Sequence, residues 1–218
     1  MASVKGAYLK NIRYDSITPQ RIEKFLERES WSKKKWQEWV DSQLNETLYN
    51  AWKYVPFYQK YWSTSEKSYQ NLKNWPIITK QKINESPDLF IDTRYKKSKL
   101  YHDHTSGTTG TPLDIYLDYD SVKEQYALFE ARVKKKFDIE LDETWAIIGA
   151  QRVTDVNRKI PPFWVYNFPS NQLYLSSLHI AKWSVSDYVN ALKKYQPKCM
   201  IGYTSSIYEL ARGMADHN

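Results

Sequence analysis

The hydrophobic period of this 218-residue chain changes near residue 100, and that change restricts the fold more than any single residue does. Before it, apolar residues recur at helical spacing. From about Lys34 to Tyr54, the residues Trp36, Val40, Leu44, Leu48, Trp52 and Val55 return every three or four positions among Lys, Glu, Asp and Gln. The spacing predicts one long amphipathic helix, ended or kinked by Pro56. An earlier helix is expected from Thr18 as N-cap, with Pro19 in its first turn and Ile22, Phe25 and Leu26 on one face. Ser63 to Asn74 is polar and reads as a loop, and Trp75 to Thr79 reads as extended, with Thr79 placed to cap a short helix.

Beyond Leu100, short apolar or alternating runs are interleaved with helical periods, which is an α/β pattern. Strands are expected at Tyr101–Thr105 and Leu113–Leu117, on either side of a tight loop from Ser106 to Pro112. Ser121 and Glu124 have the spacing of a capping box, opening a helix whose apolar face is Val122, Tyr126, Phe129, Val133 and Phe137. Lys134, Lys135 and Lys136 then fall where cations offset a helix C-terminal dipole. Further strands are expected at Trp145–Gly149, Gln172–Leu178 and Cys199–Ile201, with a helix from Ser186 to Tyr195. A last helix carries Ile207, Leu210, Ala211 and Met214 on one face. The expected organisation is a mainly helical region over 1–99 and an α/β portion over 100–218, both parts of one large domain.

Composition narrows the class. With 41% hydrophobic and 26% charged residues, the chain has the large side chains a disordered segment lacks. Aromatics reach 16% beside a mean hydropathy of −0.72, so Trp, Tyr and Phe must build much of the core. A formal charge of +7 favours partners that bear phosphate or other anionic groups without choosing among them. The one cysteine, Cys199, excludes an intramolecular disulfide framework, and its apolar setting reads as core filler. Neither a secretory signal nor a run of about 20 apolar residues is present, so a cytoplasmic protein without a transmembrane segment is expected.

The stretch richest in chemistry is His104-Thr105-Ser106-Gly107-Thr108-Thr109-Gly110-Thr111-Pro112. Gly107 and Gly110 let backbone N–H groups approach an anion closely, and the hydroxyls can donate to phosphate oxygens. No Lys-Ser/Thr pair follows the last glycine, so this is not a Walker A loop, and a Rossmann fingerprint is also absent. On composition alone, a hairpin turn rich in small residues accounts for the stretch equally well.

The order of residues in Thr105-Ser106-Gly107-Thr108-Thr109-Gly110 resembles the phosphate-binding loop of the adenylate-forming superfamily of acyl-CoA synthetases, luciferases and peptide adenylation domains. Val55-Pro56-Phe57-Tyr58, Pro76-Ile77-Ile78-Thr79-Lys80, Pro161 to Asn167, Asn171 to Ser177 and Gly202 to Ser206 are similar to the branch of phenylacetate coenzyme A ligases and capsular-polysaccharide-biosynthesis proteins. The resemblance implies ATP-dependent activation of a small carboxylate as an acyl-adenylate, followed by transfer to a nucleophile such as the coenzyme A thiol. Thr105 to Gly110 would then hold ATP, with Ser106, Thr108 and Thr109 as hydroxyl donors and magnesium accompanying the phosphates. Family members often carry Lys after the second loop glycine, where this chain has Thr111. In the family, the adenine pocket, the magnesium-holding acid, the ribose-binding Asp and the catalytic Lys all lie beyond the position of Asn218. The chain is therefore expected to be the amino-terminal part of such a ligase, an incomplete large domain with a mixed sheet and flanking helices, needing a carboxy-terminal half. The alternative is an inactive remnant or binding module of the same fold.

Other candidates read as structural. His102 and His104 share one strand face, but a metal site would need His179, His217 or distant carboxylates as well, and none is expected. Lys33 to Lys35 among Trp31, Trp36 and Trp39 have the form of a nucleic-acid platform, yet the helical spacing favours packing, and no nucleic-acid partner is expected. Arg152 and Arg158 are placed in a solvated loop, and Ser205 is expected to cap the last helix.

Overall fold

A computed structural model describes residues 2–105 and 112–216. In chain order the elements are α1 (Ala2–Arg13), α2 (Thr18–Glu27), α3 (Lys33–Tyr54), α4 (Pro56–Trp62), α5 (Lys80–Glu85), β1 (Tyr101–His104), β2 (Asp114–Leu117) and α6 (Tyr119–Phe129). They continue with β3 (Trp145–Gly149), β4 (Trp164–Asn167), β5 (Gln172–Ser176), α7 (Val185–Tyr195), β6 (Cys199–Gly202) and α8 (Thr204–Ala215). The class is α/β, with a helical amino-terminal region and a mixed sheet. The chain divides into two compact units, Met1–Ile17 with Leu128–Asn218, and Thr18–Ala127. No helix among the described residues is long and apolar enough to cross a membrane.

In the unit Thr18–Ala127 the caps explain the helix boundaries. Ser32 Oγ accepts the Lys35 N–H at 3.2 Å and opens α3, and Thr79 Oγ1 accepts the Lys82 N–H at 3.2 Å and opens α5. Val55 leaves the helical region at φ −100° and ψ 115°, as a residue before proline must, and Pro56 then takes the first position of α4. Pro56 therefore ends one helix and starts the next. Of the apolar face expected on α3, Leu48 is buried while Val40 and Leu44 stay exposed. Aromatic contacts take the role that aliphatics have elsewhere: Tyr58 and Trp62 pack edge-on against Trp75, and Phe57 stacks on Phe90 at 4.5 Å.

α6 opens earlier than the Ser121–Glu124 spacing predicts. Asp118 is the cap, its carboxylate accepting the Ser121 N–H at 2.9 Å and the Ser121 hydroxyl at 2.6 Å. Partial burial alone would raise the pKa of Asp118, but these hydrogen bonds together outweigh it and hold the carboxyl below its usual range. After Phe129 the helix loosens into a π turn, Glu130–Lys134. Each π hydrogen bond spans one extra residue, so the apolar stripe rotates off its expected line and Phe137 ends 70% exposed. The same rotation buries Lys134, which is 1% exposed and not one of the solvated C-terminal cations.

The unit containing Leu128–Asn218 is built on one sheet in the order β4-β5-β3-β6, with β5, β3 and β6 parallel and β4 antiparallel to β5. β3, Trp-Ala-Ile-Ile-Gly, is an almost unbroken apolar run because it is covered on both faces and paired on both edges. Ala146, Ile148, Leu173 and Leu175 form the core with Phe163, Tyr188 of α7 and Leu210 of α8. Of the face expected on the last helix, Leu210 is buried and Ile207 and Met214 pack against the same core, whereas Ala211 is exposed. The Tyr188 hydroxyl donates to the Ser176 carbonyl at 2.7 Å, and burial, helped by the charge of Asp187, drives its pKa far above that of free phenol. Gly202 is required where β6 meets β3, since a Cβ there would lie 1.9 Å from the Ile148 carbonyl oxygen.

α1, which hydrophobic periodicity does not predict, packs against β4 and the turn after it. Gly6 gives it room, because a Cβ would meet Asn167 Oδ1 at 2.1 Å. Just past α1, the Tyr14 hydroxyl donates to Glu130 Oε1 at 2.7 Å. Glu130 Oε2 in turn lies 2.9 Å from Lys134 Nζ, an ion pair without a well-aligned hydrogen bond, with both side chains almost fully buried. Breaking one side of such a pair leaves an uncompensated buried charge. Glu130→Ala is therefore expected to destabilise the protein by about 3–5 kcal/mol in urea unfolding, whereas a Glu130→Leu, Lys134→Met double variant should cost much less.

Candidate functional site

The glycine and hydroxyl loop is carried by an antiparallel hairpin, β1 against β2, in the register Tyr101↔Leu117, His102↔Tyr116, Asp103↔Ile115 and His104↔Asp114. Of the six candidate residues, Thr105 is described; Ser106, Gly107, Thr108, Thr109 and Gly110 lie outside the described residues. Thr105 forms the neck of the loop. Its N–H donates to the Leu113 carbonyl at 3.0 Å, and its Oγ1 accepts the Leu113 N–H at 3.0 Å. The side chain thus takes the place of the next backbone rung and fixes how the chain enters and leaves the loop. With one lone pair engaged, the Thr105 O–H remains a donor. The far end is tied to α5, whose Asn84 Nδ2 donates to the Pro112 carbonyl at 3.3 Å.

The foot of the hairpin balances its charges. His102 Nε2 lies 2.8 Å from Asp114 Oδ1, a diagonal cross-strand pair, and the His102 ring stacks on Tyr116 at 4.9 Å. The contact occupies one oxygen of the Asp114 carboxylate beside the loop. Lys97 also lies against Tyr116, with its ammonium 4.8 Å from the ring centre, and pairs with Asp88. The hydrogen bond that Lys97 donates to the Asp88 carboxylate is the largest influence on the lysine's pKa and raises it against the opposing effect of burial. Asn84, Lys97 and the His102–Asp114 pair carry no pattern in the sequence. Their common signal is only their place within a few residues of an element's end.

His102 is engaged by Asp114, and His179 belongs to the other unit, where Nδ1 lies 2.7 Å from Ser176 Oγ and Phe163 stacks on the ring at 5.0 Å. His217 lies outside the described residues. No group of three or more His, Cys, Asp or Glu side chains that could hold a metal ion occurs among the described residues. Trp31, Trp36 and Trp39 face one another at 5.4–6.4 Å around Arg28, whose guanidinium lies 4.5 Å from the Trp39 ring centre. Lys35 covers Trp31 at 4.2 Å. These rings are packed among themselves. Arg158 donates to the Ile160 and Pro161 carbonyls within its own loop. Ser205 does not cap α8: the helix starts at Thr204 with Tyr203 at the cap position, where the Tyr203 N–H donates to the Ile148 carbonyl at 3.0 Å. Cys199 is partly covered, and burial raises its thiol pKa, the opposite of an activated nucleophile.

The Thr105 neck gives a direct test. Thr105→Val keeps the shape but removes the acceptor for the Leu113 N–H. It is expected to cost about 1 kcal/mol and to speed hydrogen exchange of the Leu113 amide, while Thr105→Ser should behave like the parent chain.

Among known proteins, the chain is similar to Protein CapK of Staphylococcus aureus, 27% identical over 224 aligned positions that take in 100% of this chain and 48% of the relative. It thus spans about half the length of the curated relative it matches. No family model matches the chain, and no solved structure does.

Proposed function

We propose that this chain is the amino-terminal part of an ATP-dependent, carboxylate-activating ligase resembling phenylacetate coenzyme A ligases and serving the assembly of capsular or other surface polysaccharide. The observation that carries the reading is the loop string Thr105 to Gly110 with its neck held shut at Thr105 and Leu113. The similarity to Protein CapK over the whole chain supports the polysaccharide branch.

In this reading a small carboxylate attacks the α-phosphate of ATP, forming a mixed anhydride and releasing pyrophosphate. A nucleophile, such as the thiol of coenzyme A, then takes the acyl group. This chain's contribution is to hold the leaving phosphates. Backbone N–H groups at Gly107 and Gly110 and the hydroxyls of Ser106, Thr108 and Thr109 are the donors, acting by position and not by covalent chemistry. Thr105 orients the loop's first residue and keeps its own O–H for donation. The His102–Asp114 pair keeps a bare carboxylate from facing the triphosphate. Magnesium would arrive with the nucleotide, and no carboxylate cluster among the described residues is available to hold it, so no step is assigned to it.

A second reading is a binding module that keeps the loop but makes no adenylate. Both readings require nucleotide binding. Titration calorimetry of the purified chain with Mg-ATP is expected to give saturable binding that is lost in a Gly107→Ala, Thr108→Ala double variant. Heat that is absent from the folded parent chain, or unchanged in the variant, would contradict both.

A further inference from the structure

β6 ends its sheet. It pairs with β3 and with no other strand among the described residues. Each of β3 and β5 has four buried residues out of five, whereas Cys199, Met200 and Ile201 are only partly covered and Gly202 is exposed. At the opposite end of the sheet, β4 has α1 packed against it.

Backbone parity shows which groups face outward. Tyr203, directly after β6, donates its N–H to the Ile148 carbonyl at 3.0 Å, toward β3, while the Trp145 N–H of β3 donates to the Asn171 carbonyl at 3.1 Å, on the β5 side. Alternate residues of a strand point the same way, so in this register the Cys199 and Ile201 amides also face β3, and the amides of Met200 and Gly202 turn to the open edge. Edges that must stay unpaired are blunted by proline, charge or bulges within the strand. Here Pro197 and Lys198 precede the strand, and Cys199-Met200-Ile201-Gly202 itself carries none of these devices. An apolar edge with free backbone donors is a template for another strand. The relative supplies a length of chain to occupy it, since about half of Protein CapK has no counterpart in these 218 residues.

We propose that the open edge of β6 is a docking surface for a β-strand from a polypeptide equivalent to that unmatched half, held by backbone hydrogen bonds to Met200 and Gly202. Recognition through the backbone tolerates sequence divergence, so the Staphylococcus aureus half is a usable probe despite 27% identity. The surface needs no nucleotide, and its failure would leave the ATP reading untouched.

The test has two arms, both without nucleotide. In the chain alone, the Met200 amide is expected to exchange at least about tenfold faster than the Ile201 amide; equal protection would mean that the edge is already covered, and would overturn the proposal. In the second arm, the full chain is co-expressed with the unmatched portion of Protein CapK and the complex is sized by light scattering. A one-to-one complex is expected. Met200→Pro deletes an outward donor without touching the β3 pairing, and is expected to reduce retention at least about tenfold with an unchanged circular dichroism spectrum. Met200→Ala, which keeps the donor, should retain the complex. Failure to form the complex, a complex indifferent to Met200→Pro, or instead a dimer of this chain that Met200→Pro dissolves, would each overturn it.

Discussion

Burial of β3 on both faces is the constraint from which the unit of Met1–Ile17 and Leu128–Asn218 follows. A strand covered above and below cannot leave its amides and carbonyls to water, so both edges must pair, and β5 and β6 supply the partners. Parallel pairing in turn requires a crossover of helical length, which α7 provides between β5 and β6. The strand ends are then closed by polar groups of neighbouring segments. Ser177 Oγ donates to the Gly149 carbonyl at 2.7 Å, and the Tyr203 amide donates to that of Ile148. Tyr188 reaches from α7 to the Ser176 carbonyl. Each of these contacts answers a carbonyl that β3 or β5 would otherwise leave unpaired in an apolar setting.

In the unit Thr18–Ala127, a different economy holds. Few aliphatic side chains are fully buried, and aromatic rings join short helices and long connections. The hairpin that carries the glycine and hydroxyl loop is kept in place by specific polar contacts: Thr105 with Leu113, Asn84 with Pro112, and His102 with Asp114. A loop whose two ends are fixed in this way can be rich in glycine without setting the hairpin register, because the register is decided below it. That arrangement suits the anion-holding role proposed for the loop, where backbone donors must converge on a ligand.

Legibility in the sequence follows the range of the interactions. Local chemistry is readable: the helix of α3, the Thr79 cap, the break at Val55-Pro56, and the apolar runs of β3, β5 and β6 all rest on residues within a few positions of one another. α1 is not, because what holds it is β4 and the turn that follows, far along the chain, and its own sequence has no regular apolar stripe. The capping box at Ser121 is a plausible local signal displaced by a better one, since Asp118 offers two acceptors to Ser121. The π turn cannot be read from periodicity, which assumes a constant pitch; Phe137 and Lys134 exchange expected environments as a result. At the site, the loop residues are marked by composition, but the hairpin's supports are not. Asn84 contacts Pro112 from 28 positions away, and the His102–Asp114 pair depends on a cross-strand diagonal that only the register reveals.

The central claim is that Thr105 to Gly110 grips a triphosphate. Amide hydrogen exchange across residues 101–117, measured with and without Mg-ATP and with AMP as control, addresses it most directly. Exchange in the 105–110 segment is expected to slow on addition of ATP but not AMP, with the β1–β2 rungs unchanged. Protection that is absent from this segment, or equal for AMP and ATP, would contradict the claim.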